Sequence, residues 1–506
     1  MRRVRLVVPV LALLVLPPSR LPLFAADPPV SEATAECIGC HESVTPGIVE
    51  DWRRSRHSVV TPADGLKAER LSRRVSATEI PGDLARVVVG CAECHTADSA
   101  KHADTFEHNG HRVHVVVSPE DCARCHPVER AQYRENLMSH AFGNLHNNAL
   151  YQDLVGSVNG VQTFSEGKLS PHAPTDNVGA ESCYYCHGTE IKVVGRQTRV
   201  TSMGEMVFPT LSGWPNVGVG RVNPDGSLGS CASCHTRHRF SIEMARKPYT
   251  CAECHKGPDV PAYPVYEASK HGNIYLSLGK EWNFKDVPWQ VGKDFSAPTC
   301  AACHVSLVVS GEGSVVAERS HRMNDRLGWR IFGLPYAHPH PVSPDTSTIR
   351  NKGGLPLPTE LTGEPVSASL IDAGEQAKRS AVMQKICRAC HAADWVNGQY
   401  ARFEETVRGT NEMTLAATQV LLSAWDKGVA KGPGRKGSPF DEPIEKRWVE
   451  QWLFYANSTR FASAMAGADY GVFGNGRWYL SKNLREMLEL LDLSARSGER
   501  PAPPLK

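Results

Sequence analysis

The chain is short of aromatic side chains, of net charge and of long apolar runs. Phe, Trp and Tyr make up 7 per cent of its 506 residues, although that length is enough for two or three ordinary domains or one large one. Lys and Arg number 56 against 54 Asp and Glu, which gives no case for binding nucleic acid or an anionic membrane surface. Beyond the N-terminus no stretch approaches the ~20 apolar residues of a spanning helix. The N-terminus itself combines Arg2, Arg3 and Arg5 with an apolar run from Leu6 to Leu16 and small residues at Ala25 and Ala26. That pattern predicts a cleaved secretory signal over 1–26. Pro9, Pro17 and Pro18 interrupt the run and weigh against an uncleaved anchor. The expectation is an exported, soluble protein in a periplasm or an equivalent extracytoplasmic compartment.

An unpaired cysteine is also lacking. Sixteen cysteines in an exported chain would ordinarily suggest disulfides. Their spacing rejects that, because every one falls in a C-x-x-C pair followed by histidine. The pairs are Cys37 and Cys40 before His41, Cys91 and Cys94 before His95, Cys122 and Cys125 before His126, and Cys183 and Cys186 before His187. Then come Cys231 and Cys234 before His235, Cys251 and Cys254 before His255, Cys300 and Cys303 before His304, and Cys387 and Cys390 before His391. Two cysteines one helical turn apart can each bond a haem vinyl group while the next residue turns its imidazole onto the iron. Paired cysteines also build zinc sites, but zinc gives no reason for a histidine after every pair. Eight c-type haems are therefore expected, with their iron on those eight histidines.

One haem for roughly every 60 residues makes porphyrin much of the core, so small modules need few large side chains of their own. The fold class expected is mainly α, a multihaem cytochrome c of short helices and loops over 27–400, with few strand signals. Eight of the 21 histidines follow the cysteine pairs, so 13 remain as second axial ligands. His57, His140, His238, His271, His321 and His338 are candidates. The cluster His102, His108, His111 and His114 leaves the assignment open.

From Arg402 to Glu489 the chain has neither cysteine nor histidine. Trp448, Trp452, Tyr455 and Ala456 recur at helical spacing, and KNLREMLELLDLSA is a second amphipathic stretch. These features predict a haem-free helical region over 401–495, with a disordered tail over 496–506.

At this point the sequence resembles the octahaem hydroxylamine oxidoreductase family. The likeness rests on CYYCHGT at Cys183, GWPNVGVGRVNPDGSLGSCASCHTRHRFS from Gly213, ARKPYTCAECHKGPD from Ala245, VYEASKHGNIY from Val265, WRIFGLPYAHPHP from Trp329, and MAGADY ending at Tyr470. The resemblance implies a homotrimer in which seven haems carry two histidines and one keeps an open position. By further likeness to pentahaem nitrite reductases, the open haem is that of Cys183, Cys186 and His187. Many of those enzymes place a lysine where His187 stands. In oxidative family members a tyrosine matching Tyr470 bonds covalently to the active haem of a neighbouring subunit, and reductive members lack it. The residues after Tyr470 read GVFGNG, where the family has an aromatic followed by His-Gly. The motif CAECHKGPDV matches one that usually ends in Asp-His above the open iron. Asp259 matches the carboxylate and Val260 replaces the histidine. Tyr336 is a third pocket candidate.

The resemblance thus implies oxidation of hydroxylamine, or of hydrazine, with His187, Asp259, Tyr470 and Tyr336 at the site. Electrons would leave through seven further haems to a soluble cytochrome c. Two alternatives stand beside it: reduction of nitrite or hydroxylamine to ammonia, and a non-catalytic electron-transfer or assembly subunit.

Overall fold

The computed structural model describes residues 28–498, apart from 202 and 436. The expected signal over 1–26 lies outside the described residues, as does the tail from 499 onward. Residues 496–498 end the last helix, Arg477–Gly498.

The chain is mainly α, and its haem-attachment motifs sit on short helices or at helix ends. Cys91–His95, Cys183–His187 and Cys300–His304 are each a five-residue helix. Cys37 to His41 lie inside Glu32–Val44, and Cys387 is near the end of Ala373–Arg388. A helical turn brings residues three apart onto one face, so both thiols of a motif point the same way. Side-chain caps start several of these elements. Ser31 accepts from the Thr34 amide, Ser118 from the Glu120 amide, and Asp372 from the Glu375 amide.

Strands are more prominent than the sequence suggests. Val161–Ser165 pairs with Lys168–His172, and Lys192–Thr201 with Gly204–Ser212, as two antiparallel hairpins. Both strands of the first are exposed along their whole length. No period-two apolar pattern was therefore present to reveal it. Its turn, Glu166-Gly167, has φ of 49° and 75°, the left-handed pair of a tight hairpin.

The helical C-terminal part forms as expected. Ala393–Asp426 is a single 34-residue helix. Pro443–Val449 continues through a wider turn, Glu450–Ala456, into Asn457–Ala464. Trp448, Trp452 and Ala456 are buried, as their stripe predicts, and the two tryptophans pack with Leu421, Met487 and Leu491. Tyr455 instead stacks on Tyr479, ring centres 5.3 Å apart. Arg460 is fully buried and donates to Thr410 Oγ1, Asn411 Oδ1, Asn457 Oδ1 and the Ile331 carbonyl. Such a guanidinium is tolerated inside only when its donors are satisfied. The expected boundary at 400/401 falls inside the long helix. Leu150, Leu334 and Leu357, from the preceding part of the chain, also join the C-terminal core.

Glu445 is buried in that core, accepting from Trp425 Nε1 at 2.8 Å and from the Glu442 amide at 3.0 Å. Desolvation pushes its carboxyl up to about 7 from 4.5, against the pull of those two donors. The folded protein therefore holds this proton where the unfolded chain has lost it. Glu445 thus lowers stability as pH rises from about 4.5 to about 7. Thermal melts of wild type and Glu445→Gln across that window should show the variant losing less midpoint temperature. Parallel melting curves would refute the assignment.

Candidate haem centres and the open position

The motif histidines are not scattered. Five face another histidine at nearly one spacing. Ring centres are 6.1 Å apart for His41 and His108, 6.4 Å for His57 and His126, and 6.4 Å for His95 and His238. They are 6.4 Å apart for His235 and His321, and 6.0 Å for His271 and His391. Two metal–nitrogen bonds of about 2.0–2.1 Å on opposite sides of one ion put imidazole centres roughly 6.3 Å apart. The residues present therefore fit an iron between each pair. The rings of half-buried His108 and His321 each also keep a buried Nδ1 without a protein partner.

Thiol positions give the order of the motifs in space. Cys37 touches Cys91, Cys122 touches Cys231, Cys186 touches Cys254, and Cys251 touches Cys300. Electrostatic influence links Cys94 with Cys125, Cys234 with Cys251, and Cys303 with Cys387. The motifs thus run first, second, third, fifth, sixth, seventh, eighth. The fourth branches from the sixth.

Three motif histidines, His187, His255 and His304, have no such ring partner among the described residues. Two other buried histidines, His338 and His340, each keep a ring nitrogen without a hydrogen bond. His187 donates from Nδ1 to the Ala141 carbonyl at 3.3 Å, which leaves Nε2 for a metal. Burial pushes its imidazole below the ordinary value; the Ala141 carbonyl and Asp259 oppose that fall and Arg330 adds to it. A neutral ring with a free lone pair is the ligating form.

Asp259 reaches this centre from the loop after the sixth motif. Its carboxylate acts electrostatically on Cys183, Cys186 and His187. Asn457 Nδ2 donates to its backbone carbonyl at 2.9 Å, tying the loop to the C-terminal helices. A side chain at Gly257 would meet Asp259 Oδ1 at 2.5 Å, so the carboxylate's folded-back position requires glycine there. Val260 turns instead into an apolar cluster with Val265, Phe461, Phe332 and Tyr470.

Known proteins place this geometry. The family described as seven times multi-haem cytochrome CxxCH matches residues 225–330. A solved hypothetical multiheme protein is 41% identical, with a TM-score of 0.87, over 93% of this chain and 97% of its own. The chain belongs to the multihaem cytochromes c. A probable nitrite reductase-hydroxylamine oxidoreductase fusion protein of Kuenenia stuttgartiensis is 25% identical over 420 residues, 80% of this chain. The match spans only 39% of that relative's length. A reducing HAO-like protein complex of the same organism shares the fold at 18% identity and a TM-score of 0.58, over 92% of this chain and 85% of its own.

The remaining predicted residues of this cytochrome are distributed unevenly. His57, His238, His271 and His321 each face a motif histidine, at the spacings given above. His140 does not, and donates from Nε2 to the Arg134 carbonyl at 3.0 Å. His338 is buried, with Nδ1 against the Pro339 carbonyl and Nε2 free. Tyr336 is buried, its hydroxyl donating to the Leu361 carbonyl at 2.8 Å beside Thr418 Oγ1 at 3.1 Å. Burial raises that hydroxyl to about 12. Tyr470 is half-buried in the Val260 cluster, with its hydroxyl bonded to Ser458. Sequence reasoning left His108 in an unresolved cluster and missed His340, Arg330 and Asn457. Spacing offers no signal for any of these, since each reaches its place from a distant part of the chain. Among the described residues no helix is long and apolar enough to cross a membrane.

Proposed function

We propose that the eight motifs hold eight haems, seven between two histidines and one on His187 with a position left for substrate. We propose further that the protein oxidises hydroxylamine, with hydrazine as the second candidate substrate. The observation that carries this reading is the histidine balance around His187. His255 and His304 require two partners, His338 and His340 are the buried histidines with free nitrogens outside the His102–His114 cluster, and none is then left for His187. The bound haem would supply an iron that takes the substrate nitrogen and an outlet for electrons one at a time.

The residues' parts follow. Ala141 fixes the His187 ring through Nδ1. Asp259 lies where protons leave the substrate and accepts them as a general base. Val260 contributes no second base, so Asp259 carries that work alone. Arg330, which acts electrostatically on His187, His338 and His340, favours a negatively charged or deprotonated group at the centre. The motif order sends electrons from the fourth haem to the sixth and outward to a soluble cytochrome c. Export and trimer formation belong to the same proposal.

A ligand count tests the carrying observation. Cyanide titrated into the ferric holoprotein should bind at about one haem per chain, and His321→Ala should raise that to about two by opening a second axial position. Binding at several wild-type haems would defeat the histidine balance. No binding at all would favour the electron-carrier reading.

The reverse direction, reduction of nitrite or hydroxylamine to ammonia, is supported by the fusion relative's name, which joins nitrite reductase with hydroxylamine oxidoreductase.

A further inference from the structure

One buried cluster has no part in the haem arrangement. His102, Asp104, His114 and Asp121 are each less than a tenth exposed, and Asp225 closes the group from a neighbouring turn. The two rings stack face to face, centres 3.7 Å apart and 6° from parallel. His102 Nε2 is 3.3 Å from Asp121 Oδ1 and 3.9 Å from Asp225 Oδ2, and His114 Nε2 is 3.5 Å from Asp121 Oδ2. His102 Nδ1 lies 3.6 Å from Asp104 Oδ1. One donor atom from each of His102, His114 and Asp121 lies within 4.8 Å of the others.

His102 Nε2 and Asp121 Oδ1 form a long hydrogen bond at 3.3 Å, and the other separations exceed the usual range, which runs to about 3.2 Å. They match the edges of a tetrahedral shell, where bonds of about 2.0–2.1 Å put neighbouring ligand atoms roughly 3.3–3.4 Å apart. Both nitrogens of His114, Nδ1 of His102 and Oδ1 of Asp104 have no hydrogen-bond partner although they are buried. Buried polar atoms are ordinarily satisfied, so the unpartnered His114 Nε2, 3.5 Å from Asp121 Oδ2, indicates a missing partner. The carboxylates are already aimed. Asp104 Oδ2 accepts from the Val115 and Val116 amides at 2.8 Å each, and Asp121 Oδ2 from the Ser118 amide at 2.8 Å. Asp225 Oδ2 accepts from Ser118 Oγ at 2.6 Å. Such outer bonds are what orient metal ligands.

His114 is free for this role. Its ring centre lies 6.0 Å from that of His95, but His95 Nδ1 donates to the His114 carbonyl at 2.8 Å. That contact puts His114 beside the Nδ1 flank of His95 and leaves Nε2 to face His238.

We propose that His102, His114 and Asp121, with Asp225 completing the shell and Asp104 orienting the His102 ring from Nδ1, bind a divalent transition-metal ion, zinc by preference. Two imidazoles with carboxylates suit a borderline cation and not calcium or magnesium, which take oxygen donors. The ion would clamp the loop after the second motif to the helix that carries Cys122, adjoining Cys94, on which Asp121 already acts.

The test uses the haem-loaded protein, dialysed against a chelator and then equilibrated with zinc alone. Elemental analysis against haem iron should find about one tightly held zinc per chain, with affinity lowered roughly 10–100-fold or more in His102→Gln and in His114→Gln. Exposed His172→Gln should bind as wild type. Zinc-edge X-ray absorption of the wild-type protein should show a nitrogen and oxygen shell with two imidazoles, a readout that does not depend on the variants folding. Retention of less than about a tenth of an equivalent overturns the proposal, as does a sulfur shell or undiminished binding in both variants.

Discussion

Asp259→Asn is expected to lower hydroxylamine turnover by about 10²–10⁴-fold, the range for removing one general base. The amide keeps the side chain's size and the Gly257 contact, but it cannot accept a proton. The loss should fall on kcat while KM changes little, because the side chain acts on protons leaving the substrate and not on attachment to the His187 haem. Cyanide binding should stay at about one haem per chain. A variant with wild-type turnover would remove Asp259 from the chemistry. Val260→His supplies the complementary experiment. The family's histidine would stand where an apolar side chain now packs with Val265 and Phe461. Turnover should rise if a second base is the missing element, and a fall in melting temperature would accompany the imidazole's burial in an apolar cluster.

Under fully denaturing, reducing conditions, the oxidative reading expects a covalent trimer with all haems attached, converted to monomers by Tyr470→Phe. Thioether and tyrosine bonds survive that treatment, whereas packing contacts do not. The effect would extend to activity, since a bond to the macrocycle distorts it and changes its electronics, one of the protein's levers on haem reactivity. A wild-type monomer in the same experiment would favour the reductive direction. The two predictions separate cleanly: Asp259 tests the proton path, Tyr470 the direction of electron flow.

The CxxCH spacing announced haem attachment without any structure, because the chemistry needs two thiols one turn apart and a ligand beside them. The haem-free helices after 401 were equally plain from their 3.6-residue stripe, and Trp448 and Trp452 are buried as that stripe requires. The first hairpin was not plain, since strands exposed on both faces carry no alternation. Axial partners were legible only in part. His57, His238, His271 and His321 face motif histidines, but His108 does so as well, and His140 turns to a backbone carbonyl instead. The 400/401 boundary failed for a related reason: Leu150, Leu334 and Leu357 fill the C-terminal core from far away in the sequence.

By itself, then, the sequence determined the CxxCH motifs expected to attach haem, the mainly helical class and the multihaem cytochrome character, because each depends on residue type at short, regular spacing. The tertiary structure alone decided which histidine faces which, the branch from the sixth motif to the fourth, Asp259's approach to His187, and the gathering of His102, His114 and Asp121. Those relations join residues tens to hundreds of positions apart, and only chain packing sets distances between them.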